Sequence, residues 1–405
     1  MSAPDRQTPQ HAAHQHGAAK HGASTRAISG GWLADAPGEP IAPPLVLSAT
    51  FVGGGPNDEL LYTRYGNNPT QLAVSQKLAA LQKTEAALVL GSGMAAIAMT
   101  ALALVPEGGR IVAARHLYGA TFDLFTRELP RRGITCTLVD PDAPETWEAA
   151  IGPDAQMVYL ELPTNPTLRL IDPRPVARLA RAHGIPVVVD ATFASPIHLD
   201  AAALGIDVVI HSATKYLGGH SDLIGGVVAG PGALVDRITT MMRLYGPSAD
   251  PHMAWLLDRG IRTLPLRMER HNANARRIAQ FLSTHPEVTH AIHPSLPTHP
   301  DHALAAEIMP SGTGGMVSFV LAGGGAAADR FTTALRLIQR APSLGGVESL
   351  VSEPRYTSHK PMTPEQRAEI GIPDGFIRLS VGLEDVDDLI ADLEQALAAA
   401  RSSDA

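Results

Sequence analysis

The chain has 405 residues and a formal net charge of −8, so more than one hydrophobic core is expected. Its 45% hydrophobic and 18% charged residues are typical of an ordinary globular protein, and no apolar run is long enough to predict a membrane-spanning helix. The acidic balance argues against a protein whose main task is nucleic-acid binding. One cysteine, Cys136, excludes an intrachain disulfide and favours a reducing compartment, so we expect a cytoplasmic protein.

The first 25 residues contain four histidines but no apolar run. Those histidines are His11, His14, His16 and His21. Metal binding is one interpretation, but without apolar neighbours to build a site a disordered tail is favoured, and we predict no metal site. The sequence thus predicts a disordered, histidine-containing tail over 1–25, followed by an N-terminal arm over 26–60.

From about residue 84, short apolar runs alternate with longer amphipathic or alanine-rich ones. The predicted strands are AALVL (86–90), RIVAA (110–114), ITCTLVD (134–140), QMVYLEL (156–162), IPVVVDAT (185–192) and DVVIHSAT (207–214). The predicted helices are MAAIAMTALALV (94–105), ATFDLFTRELPRRG (120–133, ending near Pro130), PETWEAAIG (144–152) and PRPVARLARAHG (173–184). This alternation implies an α/β domain, placed at 61–260, with a mostly parallel sheet covered by helices on both faces.

The C-terminal third is predicted to form a smaller α+β domain over 261–405. The basic amphipathic stretch 258–286 predicts a connecting helix that is interrupted at Pro265. GGMVSFVLAGG and GFIRLSVGLE are typical of strands, whereas ADRFTTALRLIQRA (328–341) and VDDLIADLEQALAAARSS are typical of helices.

Several chemically capable residues follow the predicted strands, where an open parallel sheet binds its ligands. GSGMAA (91–96) leads into a helix N-terminus, which favours an anion, although by itself it fits a tight turn equally well. Tyr118, Asn165 and Asp190 each follow another strand, and each alone could be a loop aromatic, a turn residue or a helix cap. Lys215 follows the last of these strands.

One ligand explains these residues together. A phosphate suits the GSGM helix end and the hydroxyls of Ser212 and Thr214, and a flat ring suits Tyr118. A basic ring nitrogen suits Asp190, and an aldehyde suits the amine of Lys215. These groups predict pyridoxal 5′-phosphate, bound covalently through Lys215.

Eight spaced motifs carry a resemblance to a known family. They are YTRYGNNPT, GSGMAAI, LYGAT, ELPTNPTL, VVVDATFASP, SATKYLGGHSD, SLGGVESL and IRLSVGLED, and they lie in this order within about 25–398. Together they resemble the Cys/Met-metabolism family of pyridoxal-phosphate enzymes. The resemblance implies the fold-type-I architecture of these enzymes.

The resemblance also implies roles for the residues around the cofactor. Lys215 resembles the lysine that bonds the cofactor and then shuttles protons, and Asp190 resembles the partner of the pyridine nitrogen. Tyr118 is similar to the tyrosine that stacks on the ring and can exchange a proton. The remaining implied contacts are to the phosphate: Ser212, Thr214 and the backbone N–H groups of Gly93 and Met94.

Two further groups of residues are implied to bind substrate and to cross between subunits. Arg378 resembles the residue that binds the substrate α-carboxylate, helped by Ser343 and Asn165. Tyr62 and Arg64 resemble a pair that reaches the cofactor phosphate of the neighbouring subunit. The resemblance therefore implies a homotetramer built from dimers that share their active sites.

The activity expected from this resemblance is a C–S lyase of sulfur amino-acid metabolism. It would release 2-oxo acid, ammonia and thiol from a methionine-, homocysteine- or cystathionine-like substrate by γ- or β-elimination. The alternative is a γ-replacement enzyme, either a cystathionine γ-synthase or an O-acyl-homoserine sulfhydrylase. Leu61 and Pro342 stand where several members carry acidic residues, which weakens cystathionine as substrate. Ala120 stands where methionine γ-lyases typically carry cysteine, which weakens that activity too, although Phe122 is apolar as in those enzymes.

Two hypotheses from other classes are less well supported. A non-catalytic scaffold with the same fold is disfavoured because Lys215, Asp190, Tyr118 and Arg378 are all present. A dinucleotide-binding dehydrogenase is disfavoured because no acidic residue ends the strand RIVAA, where a ribose would be held.

Overall fold

The computed structural model describes residues 21–34, 36–53, 55, 60–360 and 362–401. Most of the predicted tail, including its first three histidines, lies outside the described residues. The last part of that tail enters helix α1 (Ala23–Ser29). The predicted arm then packs along helix α2 (Pro69–Gln82), where Val46 N donates to Thr70 Oγ1 at 2.9 Å.

A seven-stranded sheet forms the centre of the larger part of the molecule. Its strands are β1 (Ala86–Leu90), β2 (Arg110–Ala114), β3 (Thr135–Val139), β4 (Ala155–Glu161), β5 (Val187–Asp190), β6 (Val208–Ser212) and β7 (Gly226–Gly230). Their spatial order is β1-β7-β6-β5-β4-β2-β3, and every neighbouring pair is parallel except the two that involve β7. The predicted mostly parallel sheet is confirmed, whereas β7 was missed.

Helices cover both faces of this sheet, as the sequence predicts. They are α3 (Gly93–Leu104), α4 (Gly119–Asp123), α5 (Pro144–Ala150), α6 (Pro173–Ala182), α7 (Ser195–His198), α8 (Gly232–Tyr245) and α9 (Pro251–Ile261). Alternate residues of one strand enter different cores: Val158 packs in one cluster and Met157 and Tyr159 in the other. A strand buried on both sides must be apolar throughout, which accounts for the continuous runs.

The helical run predicted to stop near Pro130 ends at Arg132, two residues beyond it. The helical run that begins with α4 continues through a wider turn, Leu124–Glu128, and a 3-10 turn, Leu129–Arg132. Pro130 lies in the first turn of that last segment, where its missing N–H costs nothing. Gly133, with φ of 74°, ends the run instead.

A second sheet of five strands lies in the C-terminal part. Its strands are β8 (Val288–Ile292), β9 (Met316–Leu321), β10 (Gln339–Arg340), β11 (Leu350–Ser352) and β12 (Phe376–Ser380), in the order β10-β11-β12-β9-β8. The accompanying helices are α10 (Leu264–Thr284), α11 (His302–Ile308), α12 (Gly324–Ala334), α13 (Pro364–Glu369) and α14 (Val386–Ala400). The helix expected over 328–341 begins earlier and ends at Ala334, because Gln339 and Arg340 pair with β11 as a strand.

The interruption predicted at Pro265 is present: α9 ends at Ile261, and α10 begins at Leu264 with Pro265 in its first turn. The predicted boundary between 260 and 261 falls at the end of α9, and the domain limits themselves stay a prediction. One apolar cluster joins the two parts, since Tyr216 packs in it together with Phe376. Among the described residues, no helix is long and apolar enough to span a membrane.

Candidate active site

Lys215 lies in a tight turn that follows β6. Gly218 N donates to Ala213 O at 2.8 Å, and Gly219 N donates to Lys215 O at 2.8 Å. These bonds wind the chain through one helical turn, which the left-handed Gly219 (φ 75°) then ends. The turn directs Lys215 towards a cavity at the carboxyl end of the sheet, as expected for an open parallel sheet.

Six of the predicted site residues line this cavity. They are Tyr118, Asn165, Asp190, Lys215, Ser343 and Arg378. Four come from the larger sheet and its loops, whereas Ser343 and Arg378 come from the C-terminal part. The site is therefore built where the two parts of the chain meet.

The Lys215 amine is hydrogen-bonded to a serine of the C-terminal part. Nζ donates to Ser343 Oγ at 2.7 Å. Burial, together with the nearby positive charge of Arg378, lowers the pKa of Lys215 to about 8. A lysine with this pKa is partly neutral near physiological pH, and the neutral amine is the form that attacks an aldehyde.

Arg378 projects from β12 and is held by two acceptors. Its Nη1 donates to Asn165 Oδ1 at 3.1 Å, and its Nη2 donates to the Ser343 carbonyl at 3.0 Å. Burial lowers the pKa of Arg378 to about 10, so the guanidinium stays charged at neutral pH. Ser343 has a φ of 91°, an unusual value for a serine, which the surrounding contacts must maintain.

Asp190 ends β5 and faces a second carboxyl group. Its Oδ1 accepts hydrogen bonds from the backbone N–H and the hydroxyl of Thr192. In the sheet, Asp190 pairs with Glu161 of β4, which also lines the cavity. Burial raises the pKa of both carboxyl groups, and the charge of Asp190 raises that of Glu161 further.

Glu161 is a site residue that the sequence analysis missed. It is buried, and its Oε1 accepts a hydrogen bond from Tyr118 N at 2.7 Å. Glu161 thereby fixes the start of α4 and the position of Tyr118, whose side chain is 44% exposed. The only signal in the sequence was an acidic residue within an otherwise apolar predicted strand.

Three of the predicted phosphate contacts, Gly93, Met94 and Ser212, form a group beside the cavity. Gly93 begins α3, and a Cβ built on it would lie 2.9 Å from Ser212 Cβ and 3.0 Å from Ser212 Oγ. Ser92 Oγ already accepts from Ala95 N, which leaves the first N–H groups of α3, those of Gly93 and Met94, for another acceptor. The N-terminus of α3 and the hydroxyl of Ser212 thus form one cradle, which a side chain at position 93 would fill.

This cradle is connected to Asp190 through Thr192. Ser212 N donates to Thr192 Oγ1 at 2.8 Å, and the same hydroxyl donates to Asp190. Thr214 lies apart from the Lys215 cavity: its Oγ1 accepts from Gly225 N at 3.1 Å, and it lines an adjoining cavity that Ser343 also borders.

Tyr62 and Arg64 lie outside the Lys215 cavity of their own chain. Arg64 Nη1 donates to the Arg243 carbonyl at 2.6 Å, and its guanidinium lies 5.6 Å from the centre of the Tyr62 ring. Neither residue lines the cavity around Lys215.

Three positions that differ from common family patterns, Leu61, Ala120 and Pro342, also lie outside the cavity lining, and so does Phe122. Ala120 and Phe122 follow Tyr118 on α4, and Phe122 packs against a hydrophobic core. Pro342 lines the adjoining cavity next to Ser343. Leu61 precedes Tyr62 in the chain and does not border the Lys215 cavity.

Comparison with known proteins identifies the family. The model of the family described as "Cys/Met metabolism PLP-dependent enzyme" matches residues 24–398. The chain belongs to this family. The match confirms the predicted resemblance, and pyridoxal phosphate is the cofactor that it implies.

Individual relatives of this family are similar over most of the chain. An L-methionine gamma-lyase from Pseudomonas deceptionensis is 43% identical over 93% of this chain and 97% of its own length. The chloroplastic cystathionine gamma-synthase 1 of Nicotiana tabacum is 42% identical over 83% of this chain and 62% of its own length. The crystal structure of cystathionine gamma-lyase from Lactobacillus plantarum complexed with L-serine is 39% identical, with a TM-score of 0.88 over 94% and 99% of the chains.

The residues present fit the cofactor of this family. The cradle of Gly93 and Ser212 joins a helix N-terminus to a hydroxyl, which suits a phosphate. Asp190 is a partly buried carboxylate suited to a protonated ring nitrogen. Lys215 presents an amine with a lowered pKa in the same cavity.

Proposed function

We propose that the protein is a pyridoxal-phosphate-dependent C–S lyase that acts on a methionine-like amino acid by γ- or β-elimination. The observation that carries this proposal is the arrangement of three charged groups around one cavity. Lys215, Asp190 and Arg378 supply an amine, a carboxylate and a guanidinium to the same space. An amine that moves protons, a carboxylate for a ring nitrogen and a guanidinium for a substrate carboxylate are what this chemistry requires.

The cofactor, when bound, supplies an aldehyde that bonds an amine and a ring that accepts the electron pair of the substrate Cα–H bond. Lys215 would hold the cofactor covalently and, once displaced by the substrate amine, remove the Cα proton with Nζ. Asp190 would keep the ring nitrogen protonated, steadied by its bonds from Thr192. Ser212, with Gly93 and Met94, would bind the phosphate.

Arg378 would bind the α-carboxylate of the substrate. A guanidinium can donate two parallel hydrogen bonds to a carboxylate. Asn165 and the Ser343 carbonyl occupy other N–H groups of Arg378 and so fix the plane of the guanidinium. Binding of the substrate carboxylate by Arg378 would then place the substrate Cα within reach of Lys215. Ser343, which contacts Arg378, is also the residue that Lys215 Nζ contacts. Tyr118, also in the cavity, would stack on the cofactor ring.

The L-methionine gamma-lyases among the relatives support methionine as a substrate class. Leu61 and Pro342 stand where several family members carry acidic residues, so this chain lacks the side chains that would suit the distal amino group of cystathionine. A short thioether needs no polar partner beyond the amino-acid end. The chain therefore suits a methionine- or homocysteine-like substrate better than cystathionine.

A second candidate function is γ-replacement, in which a thiol adds to a homoserine ester. It is favoured by the plant cystathionine gamma-synthases, which are 41–42% identical to this chain. Both reactions use the same residues around Lys215 and differ in what happens after the γ-substituent leaves. The cofactor site alone does not distinguish them.

Product analysis tests the two candidates against each other. Purified protein is given methionine, homocysteine and cystathionine singly, and 2-oxo acid and released thiol are measured. Elimination predicts equal amounts of both products from at least one substrate. If no oxo acid forms but an O-acyl-homoserine and a thiol give a thioether, γ-replacement is the function.

We infer further that active sites are shared between subunits of a homotetramer. Tyr62 and Arg64 lie outside their own Lys215 cavity, in the region that the resemblance assigns to a neighbour's phosphate. The preceding arm exposes large apolar residues, among them Ile41 (83%) and Leu47 (66%), as expected of a segment covered by another subunit. We place the protein in the cytoplasm, since its one cysteine, Cys136, fits a reducing compartment.

A further inference from the structure

Arg267 of α10 is a buried arginine whose guanidinium meets backbone carbonyls. Its Nη1 donates to Tyr216 O at 2.7 Å, and its Nη2 lies 2.8 Å from Gly260 O and 3.4 Å from Leu217 O. Its Nε donates to Thr263 Oγ1 at 3.2 Å. The guanidinium thus joins the turn that follows Lys215 to the C-terminal end of α9.

These hydrogen bonds satisfy backbone carbonyl groups of the turn that carries Lys215. A helical turn leaves its last carbonyl groups without partners when it ends. The carbonyl of Lys215 is satisfied by Gly219 N, but the chain leaves the helical path at Gly219. The next two carbonyls, of Tyr216 and Leu217, are the ones that Arg267 takes.

The fit around this guanidinium is close. Gly219 has a φ of 75°, and a Cβ built on it would lie 2.0 Å from Arg267 Nη1. A Cβ on Gly260 would lie 2.3 Å from Gly218 O. Only glycine at these two positions lets the turn, α9 and the guanidinium approach one another. Part of the glycine-rich sequence after Lys215 therefore accommodates Arg267.

Burying this cation has a free-energy cost, which shows in the pKa of Arg267. Burial lowers it to about 10, and within the described part of the chain no carboxylate lies within ion-pair distance of the group. The partial negative charges of three carbonyls, one of them at the C-terminal end of a helix, offset this cost in part. An apolar residue could fill the same volume but could not bind the carbonyls.

We propose that Arg267 is a positioning residue for the reaction at Lys215: by fixing the Tyr216 and Leu217 carbonyls, it fixes the backbone that holds the Lys215 amine. This proposal rests on the proposed function only in that Lys215 bonds the cofactor aldehyde. Arg267 lies outside the lining of the Lys215 cavity, so it acts through the turn and not on the ligand.

The test measures how fast apoprotein bonds pyridoxal phosphate. The Lys215 amine and the cofactor aldehyde condense with loss of water, and stopped-flow absorbance follows this bond, normalised to folded protein. Arg267→Met removes the carbonyl contacts, Arg267→Lys keeps the charge but loses the planar fork, and Arg270→Met removes an exposed arginine of the same helix as a control. Borohydride reduction and peptide mass spectrometry count only the adduct at Lys215.

The proposal predicts that R267M slows bond formation at Lys215 about tenfold, that R267K recovers part of the rate, and that R270M matches wild type. A purely structural role would lower the unfolding temperature of R267M but leave the rate per folded molecule unchanged, and that result overturns the proposal. If R267M does not fold, R267K decides: a slowed rate supports the proposal, and a wild-type rate overturns it. A wild type that bonds the cofactor but cleaves no C–S bond contradicts the proposed function without affecting this comparison.

Discussion

Lys215 Nζ donates a hydrogen bond to Ser343 Oγ at 2.7 Å, although the two residues are 128 positions apart in the chain. The carbonyl of the same serine accepts a hydrogen bond from Arg378 at 3.0 Å. One residue therefore contacts both the amine that we expect to bond the cofactor and the guanidinium that we expect to bind the substrate carboxylate. Its backbone has a positive φ of 91°.

The first prediction concerns the pH dependence of cofactor attachment. The neutral amine attacks the aldehyde, so the rate with apoprotein should rise as pH rises through the Lys215 pKa of about 8. Arg378 contributes to lowering this pKa, so Arg378→Met should move the midpoint to higher pH. Arg340→Met, at an exposed arginine of β10, serves as the control and should leave the midpoint unchanged. A midpoint that R378M leaves in place would contradict the electrostatic coupling.

A second prediction asks whether Glu161 serves as a hydrogen-bond acceptor or as an ionised carboxylate. Burial and the charge of Asp190 raise the pKa of Glu161, and we expect its main role to be that of the acceptor for Tyr118 N. Glu161→Gln keeps a neutral acceptor and should retain activity within about threefold of wild type. Glu161→Ala leaves the Tyr118 N–H without its partner and should lower kcat/KM about tenfold. An equal loss of kcat/KM in the two variants would show that an ionised Glu161 is needed.

Sharing of active sites between subunits gives a third prediction. Arg64→Ala and Lys215→Ala should each be nearly inactive alone, since each removes a different part of every site. Subunits of the two variants, unfolded together and refolded, should recover about a quarter of wild-type activity, because half of the dimers are mixed and each mixed dimer has one intact site. If the mixture is no more active than either variant alone, Arg64 does not serve a neighbouring site.

Buried histidines predict acid sensitivity of the fold. Burial lowers the pKa of His198, His211, His271 and His293 to about 4, against about 6.5 in an unfolded chain. Between these values the unfolded state binds more protons, so the free energy of unfolding falls as pH falls. At pH about 5 the loss is up to about 2 kcal/mol for each such histidine.

Urea unfolding at pH about 7 and about 5 measures this loss. His211 lies within β6, where its Nε2 contacts the amide of Gln82. His211→Gln should reduce the difference between the free energies of unfolding measured at the two pH values. His183→Gln, at an exposed position, should leave that difference unchanged. An unchanged difference in the His211 variant would contradict the assigned pKa.

The sequence predicts features that depend on local patterns of burial, and it misses features that depend on contacts with distant residues. β1 and β2 have the predicted limits because an apolar run buried on both faces ends where burial ends. β7 was missed because GVVAG is short and lies between glycines, and its place in the sheet comes from antiparallel pairing with β1 and β6. Such pairing depends on distant residues and leaves no local pattern.

The distinction between a local pattern and contacts with distant residues applies to the candidate active site as well. Lys215 and Asp190 were recognisable because a charged residue at the end of an apolar run is unusual, and the motifs added Arg378 and Ser343. Glu161 and Arg267 were not recognisable, because their importance depends on which backbone groups they meet. Arg267 is one of several arginines in a basic amphipathic stretch, and nothing in the pattern marks it as buried.

The attachment of the cofactor at Lys215 tests the central claim most directly. Wild-type protein loaded with pyridoxal phosphate is reduced with borohydride, digested and sequenced by mass spectrometry, and 2-oxo acid formation from methionine is measured on an unreduced sample. We predict one cofactor adduct, at Lys215, and loss of both the adduct and the oxo acid in Lys215→Ala. An adduct on a different lysine, or oxo acid formed by K215A at the wild-type rate, would contradict the account.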